Sequence, residues 1–377
     1  MNNKRSIFED VSEAATPKAA PTPRTSLSDD PNRKSISRWL FVLFLMVVLM
    51  VLVGGLTRLT DSGLSITEWR PVTGAVPPMS ASDWQQEFAK YQESPEFQLQ
   101  NHTMDLAEFK VIYWWEWGHR LLGRAVGLVW AVGFLWFLAR KAIPRGWTSR
   151  LVLLGVMGGA QGAVGWWMVA SGLEGRMVDV ASYRLAIHLG LAFAILGLIG
   201  WYMFLLGRSE MDLFQARRRK EKRLTGVATL LLVLVFAQIL LGALVAGLDA
   251  GRGYIDWPLM GGAFFPSEAL NTDPVWRSVF ENEAMTQFNH RILAYVLLAA
   301  AIWGYVSARK SALVAVRSSF RWVLIAIGAQ AIWGIVTVMY AAPLSLAITH
   351  QLGAILVWII VLRARFGVVY PSEQKLR

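Results

Sequence analysis

The chain has 377 residues, 55% of them hydrophobic and 17% charged, with a mean hydropathy of +0.41. The apolar residues fall into long runs, which excludes a string of soluble domains and points to a polytopic membrane protein. The formal charge of +11 raises nucleic acid as a partner until the charges are placed. The lack of cysteine excludes disulfides, thiolate catalysis, zinc thiolates and iron–sulfur clusters.

Residues 1–38 are rich in Ser, Thr, Pro and Ala with mixed charge, and read as a disordered cytoplasmic tail. Eight apolar segments follow, at 39–58, 119–139, 149–170, 184–206, 224–247, 289–307, 321–341 and 345–363. Each has about 20 residues, enough to cross a bilayer core of about 30 Å as a helix. The first is too long, and too far behind a polar tail, to be a cleaved signal peptide. Lysine and arginine concentrate in the tail and in alternate connections: seven in 1–38, four in 140–150, seven in 207–223, four in 308–321 and four in 363–377. The opposite loops are acidic, with nine carboxylates against three basic residues in 59–117 and six against two in 248–287. The positive-inside bias therefore places both termini of this multi-pass protein in the cytoplasm. The positive charge is topology together with membrane lipid contact, and nucleic acid drops out.

The chain also repeats itself. GGLTRLTDSGLSITEW from Gly54 aligns with GALVAGLDAGRGYIDW from Gly242 without a gap, matching Asp61 with Asp249 and Trp69 with Trp257. EWGHR ending at Arg120 aligns with QFNHR ending at Arg291, GAQGAVGWW from Gly159 with GAQAIWGIV from Gly328, and His188 with His350. Four spans per copy is an even number, so the copies share one topology about an axis near the membrane normal. The expected fold is an all-α integral membrane protein, with eight transmembrane helices as two tandem four-helix bundles related by pseudo-twofold symmetry. The expected organisation is tail 1–38, N-terminal unit 39–207, basic linker 208–223, C-terminal unit 224–366 and cytoplasmic tail 367–377.

Four of the five histidines fall at repeat-equivalent places. His119 and His290 are expected to open their helices, and His188 and His350 to lie about a turn inside theirs, all toward the non-cytoplasmic side. Two imidazoles at matched depth on neighbouring helices can ligate a planar macrocycle from both faces. A structural packing role is the bland alternative, and bis-histidine heme ligation is preferred because the pattern occurs twice. Zinc lacks suitable partners, and His102 reads as a solvated loop residue. Glu116, three residues before His119, shares its helix face if the helix begins early enough; its counterpart is Gln287. Arg120, Arg124 and Arg291 are candidate partners for heme propionates. Arg58 and Arg184 are equally compatible with snorkelling to headgroups. Trp114, Trp115, Trp117, Trp166 and Trp167 read as an aromatic belt. The GAQ segments read as packing faces whose Gln161 and Gln330 could hydrogen-bond within the bundle.

On the segments at 54–78, 116–120, 188–190, 287–291 and 349–353, the stretch from about 38 to 366 resembles the heme A synthase family, in its cysteine-free proteobacterial and mitochondrial branch. The resemblance implies oxidation of the C8 methyl group of heme O to a formyl group, giving heme A for cytochrome oxidase assembly, with water as oxygen source. It implies a heme b cofactor on His290 and His350, with Arg291 nearby. The substrate heme O would lie near His119 and His188 with Arg120 and Arg124, and Glu116 matches a functionally important glutamate. Heme O synthase, a membrane electron acceptor and a second copy of the chain are the candidate partners. The histidines alone are equally met by a diheme b-type electron-transfer protein or a heme carrier.

Overall fold

A computed structural model describes residues 31–173 and 178–372. Eight helices are long and apolar enough to cross a membrane: α1 (Pro31–Leu59), α4 (Leu106–Ala139), α5 (Thr148–Gly172), α6 (Ser182–Leu206), α8 (Lys222–Gly247), α10 (Glu283–Ala308), α11 (Val314–Met339) and α12 (Leu344–Val369). Between them lie α2 (Ala81–Gln92), α3 (Pro95–Leu99), α7 (Glu210–Arg218) and α9 (Ser278–Glu281). No named strand occurs among the described residues, as expected where lipid offers the backbone no partner and each span must satisfy its own amides. The chain is an all-α, multi-pass membrane protein.

Helix α1 packs on α4 and α6, and α5 on α6. In the second half α8 packs on α10 and α12, with α11 against both α10 and α12. The halves meet where α6 lies on α8 and α12, and α1 on α12. One apolar core crosses this seam, with Leu40, Phe193, Leu196, Leu231, Phe320 and Val361 almost wholly covered. The halves differ at one interface: α10 and α11 pack together extensively, whereas α4 touches α5 over a short stretch.

The helices outrun the expected spans. Helix α1 starts at Pro31, so 31–38 is helix rather than tail; residues 1–30 and 373–377 lie outside the described residues. The extension is docked by Arg33, which is buried and donates to the carbonyls of Leu205 (3.1 Å) and Arg208 (2.8 Å). The expected linker 208–223 contains α7, begun by a Ser209–Asp212 capping box. Helix α4 begins at Leu106, behind an Asp105–Glu108 capping box, and α10 at Glu283, behind Asn282. His119 and His290 therefore sit well inside their helices rather than opening them. The 34 residues of α4 span about 50 Å at about 1.5 Å per residue, well beyond a bilayer core of about 30 Å.

The surplus length of α4 supports a folded cap on the face bearing loops 60–105 and 248–282, here the loop face. Trp84, Phe88 and Tyr91 of α2, at i, i+4 and i+7, pack with Ile66 on Phe109, Ile112 and Tyr113 of α4, and Phe97 of α3 joins them. Apolar residues at helical spacing bury one face of an otherwise polar segment, so short helices form in this loop. The second loop has only α9 and two short 3-10 turns.

Candidate functional site

Each of the four helix-borne histidines faces a glycine on a neighbouring helix. A Cβ placed on Gly54 of α1 would stand 3.1 Å from His119 Nε2, and one on Gly242 of α8 would stand 3.1 Å from His290 Cε1. A Cβ on Gly165 of α5 or Gly334 of α11 would approach Cε1 of His188 or His350 to 2.9 Å. Any larger residue would displace the ring. Gly54 and Gly242 occupy the same repeat position, as do Gly165 and Gly334. His119 and His188 are within electrostatic reach of each other, as are His290 and His350. The structure thus brings the four together as two pairs, and leaves His102 exposed in a turn.

Three of the four histidines are also held by a glutamine. The Gln161 amide donates to the carbonyl of His188 (3.1 Å) and lies 3.2 Å from both ring nitrogens. Gln330 donates to the His350 carbonyl (2.8 Å) and lies 3.2 Å from Nδ1. Gln238 donates to the His290 carbonyl (2.9 Å) and lies 3.1 Å from Nδ1. The sequence reading missed Gln238. The repeat offset was the available signal, because in the first half this place is Met50, and His119 has no glutamine in it.

Glu116 lies one turn before Arg120 on α4 and is 2% exposed. Its Oε1 accepts from Arg120 Nε (3.0 Å) and Nη2 (2.6 Å); its Oε2 accepts from Ser65 Oγ and the Ile66 amide, both at 2.7 Å. Four donors on one carboxylate hold it rigidly. In the second half, Arg291 Nη2 donates to Gln287 Oε1 (2.8 Å) and the Gln287 amide donates to the Ala250 carbonyl (2.5 Å). Position is preserved while charge is removed.

The arginines expected near propionates are engaged in fixing the loops. Arg120 donates to the carbonyls of Glu68 (3.0 Å) and Ile66 (2.8 Å), and Arg124 to those of Pro71 and Arg70, both at 2.9 Å. Arg291 donates to the carbonyls of Asp256, Leu259 and Tyr254 at 2.8–2.9 Å. Arg124 Nη1 and Arg291 Nε remain buried without a partner. Arg58 neither snorkels nor faces a histidine: it pairs with Asp61 (2.8 Å), Asp249 (2.9 Å) and Asp179 (3.7 Å), joining the two halves. Arg184 donates to the Trp167 carbonyl (2.7 Å) and stacks on the Trp167 ring. Trp114 and Trp117 pack edge-to-face, as do Trp114 and Trp84 of the cap, so these belong as much to the cap as to a membrane belt.

These residues suit a heme. Paired imidazoles are heme-iron ligands, their rings are backed by glycine, and the buried Oε1 atoms of Gln161 and Gln238 lack partners. The halves differ in room. A Cβ on Gly127 of α4, or on Gly158 or Gly162 of α5, would meet nothing within 4 Å. The repeat counterparts are Leu298, Ile327 and Ala331, and Ile327 is buried in the core.

The family model described as cytochrome oxidase assembly protein, COX15-CtaA, matches residues 37–362. The heme A synthase of Ruegeria sp. (strain TM1040) is 57% identical over 381 aligned positions, covering all of both chains. That of Dinoroseobacter shibae is 56% identical, covering 100% of this chain and 99% of its own. That of Paracoccus denitrificans is 54% identical, covering 99% and 98%. With matched histidine pairs, one carboxylate and a family match across all eight spans, the chain belongs to the heme A synthase family.

Proposed function

We propose that the chain carries its family's activity by dividing labour between two related heme-sized sites: heme O is oxidised beside His119, His188 and Glu116, and heme b is held by His290 and His350. The observation that carries this division is the exchange of Glu116–Arg120 for Gln287–Arg291 between otherwise matched histidine pairs. The short contact of α4 with α5, against the extensive one of α10 with α11, supports the same assignment, because the changing occupant needs more room than the resident one. The loop face is the outer side of the inner membrane, in line with the positive-inside bias of the opposite connections.

The overall chemistry converts a methyl group to a formyl group. The first oxidation takes up one water and releases two protons and two electrons to give the alcohol. The second does the same to give the hydrated aldehyde, and loss of one water leaves the formyl group. A membrane electron acceptor receives the electrons, and heme b, when bound, supplies one-electron redox chemistry. His119 and His188 orient the substrate, with Gly54 and Gly165 letting the rings lie close to α1 and α5. Arg120 and Ser65 hold Glu116 in one orientation, where its carboxylate takes up a proton from water or stabilises positive charge developing at the reacting carbon. Gln287 offers no charge for either task. The cap on α4 covers this end and limits bulk water.

The test is Glu116→Gln in a host that supplies heme O, followed by extraction and identification of the hemes. Heme A is expected to fall while heme b stays. Undiminished heme A would remove Glu116 from the mechanism.

A further inference from the structure

We propose that Glu96, on the cap helix α3, is a positioning residue that receives protons from the Glu116 site and passes them to water at the loop face. The inference rests on the reading of the first half as the oxidation site. That chemistry releases four protons per heme O converted, and Glu116 is buried beneath the cap.

Glu96 is 3% exposed, and its Oε2 has no hydrogen-bond partner. Its neighbour Phe97 packs in the cluster that contains Ile112 and Tyr113, which lie one turn before Glu116 on α4, and Ile66, whose amide binds Glu116. Glu96 hydrogen-bonds the Tyr91 hydroxyl of α2 and is within electrostatic reach of Glu116 of α4, Asp61 after α1 and Asp179 before α6. Among the described residues, Arg120 is taken up by Glu116, and Arg58 by Asp61 and Asp179. Asp61 and Asp179 are about two-fifths exposed, so the carboxylates run from fully buried Glu116 through Glu96 to groups in contact with water.

The second half lacks this series. Thr57, Thr60, Ser62 and Ser65 line the loop-face end of α1; their repeat counterparts are Val245, Leu248, Ala250 and Gly253. Loop 248–282 has no counterpart of the α2–α3 cap either. Polar groups accompany the half that holds the carboxylate, and apolar groups the half that does not. Burial among carboxylates pushes the Glu96 carboxyl up to about 8, so it holds a proton at neutral pH and ionises as the pH rises. Only the ionised form can accept a proton from within, so turnover should climb with pH. Its ionised fraction rises about tenfold between pH 7 and pH 9.

The test measures heme A formation from heme O in membranes carrying the full chain, from pH 6.5 to 9, for wild type, Glu96→Gln and Glu96→Asp. The expected result is a wild-type rate rising about tenfold through pH 8. Glu96→Gln should be flat at or below the wild-type rate at pH 7, and Glu96→Asp should recover a rising limb. An unchanged low-spin heme b spectrum in both variants shows that they fold. A rising limb that survives in Glu96→Gln overturns the relay, whether the rate is unchanged or is lowered by one factor at every pH. No heme A from wild type would instead overturn the oxidation-site reading, and the relay with it.

Discussion

The loop-face ends of α1 and α8 begin from one sequence frame and arrive at opposite chemistry. Asp61 and Asp249 occupy the same repeat position, and both adopt a left-handed backbone, with φ of 48° and 50°. Gly54 and Gly242 each stand against a histidine. Around this shared geometry, the end of α1 and the residues after it include Thr57, Arg58, Thr60, Ser62 and Ser65, whereas the end of α8 and the residues after it include Val245, Ala246, Leu248, Ala250 and Gly253. The backbone and the histidine cradle were kept, and the polar groups beside them diverged. Where a carboxylate is fixed by four donors, the surroundings are polar and capped. Where it is glutamine, the residues at the end of α8 are apolar and α10 packs extensively on α11. On the proposed division of labour, the half that holds a cofactor is the closely packed one, and the half that transforms a substrate is the one with charge and looser helix packing.

The sharpest way to break this comparison is at the ligands. His290→Ala or His350→Ala is expected to abolish bound heme b altogether, read as loss of the low-spin spectrum. His119→Ala should leave that spectrum in place and stop heme A formation. Equal loss of heme b in all three variants would erase the distinction between the halves.

The next largest effect concerns charge. Glu116→Gln gives the first half the second half's side chain, and heme A formation should fall about 100-fold or more, the scale of a lost general acid–base group. A fall of less than twofold would show that the charge difference is incidental. The difference in room predicts a smaller effect. Gly158→Ile copies Ile327 into α5, and should lower heme A formation about tenfold while the low-spin heme b spectrum is unchanged. Loss of both signals together would point to general damage.

The smallest effect is expected at Gln238, where α8 differs from Met50 of α1. Gln238→Met removes a hydrogen bond to the His290 carbonyl and should cost about 1 kcal/mol of stability. Thermal unfolding followed through the heme b absorption would show it as a modest drop in midpoint, with heme still bound. Complete heme loss would mean that the glutamine is needed for ligation itself.

The spans, the repeat and the histidine pattern were legible because apolar runs and rare residues stand out against the background. Helix ends were not. Residues 31–38 and 106–118 look too polar for a membrane span, yet the burial of Arg33 is offset by two carbonyl partners, and Asp105 with Glu108 caps α4 well before His119 is reached. The arginines were legible as residues near the histidines in the chain but not in what they touch. A sequence gives a guanidinium's position along the chain, and only the folded loop shows that Arg120, Arg124 and Arg291 meet backbone carbonyls. Glu96 was invisible for the same reason: only the fold shows that it is 3% exposed, and a lone glutamate in an acidic loop carries no periodic signal.

The most direct test of the division of labour is extraction and identification of the hemes bound to purified wild type, His119→Ala and His290→Ala from a host making heme O. The account predicts heme b with heme O or heme A in wild type, heme b without heme A in His119→Ala, and no heme b in His290→Ala. Equal heme b in both halves of the wild type, with neither heme O nor heme A, would contradict it.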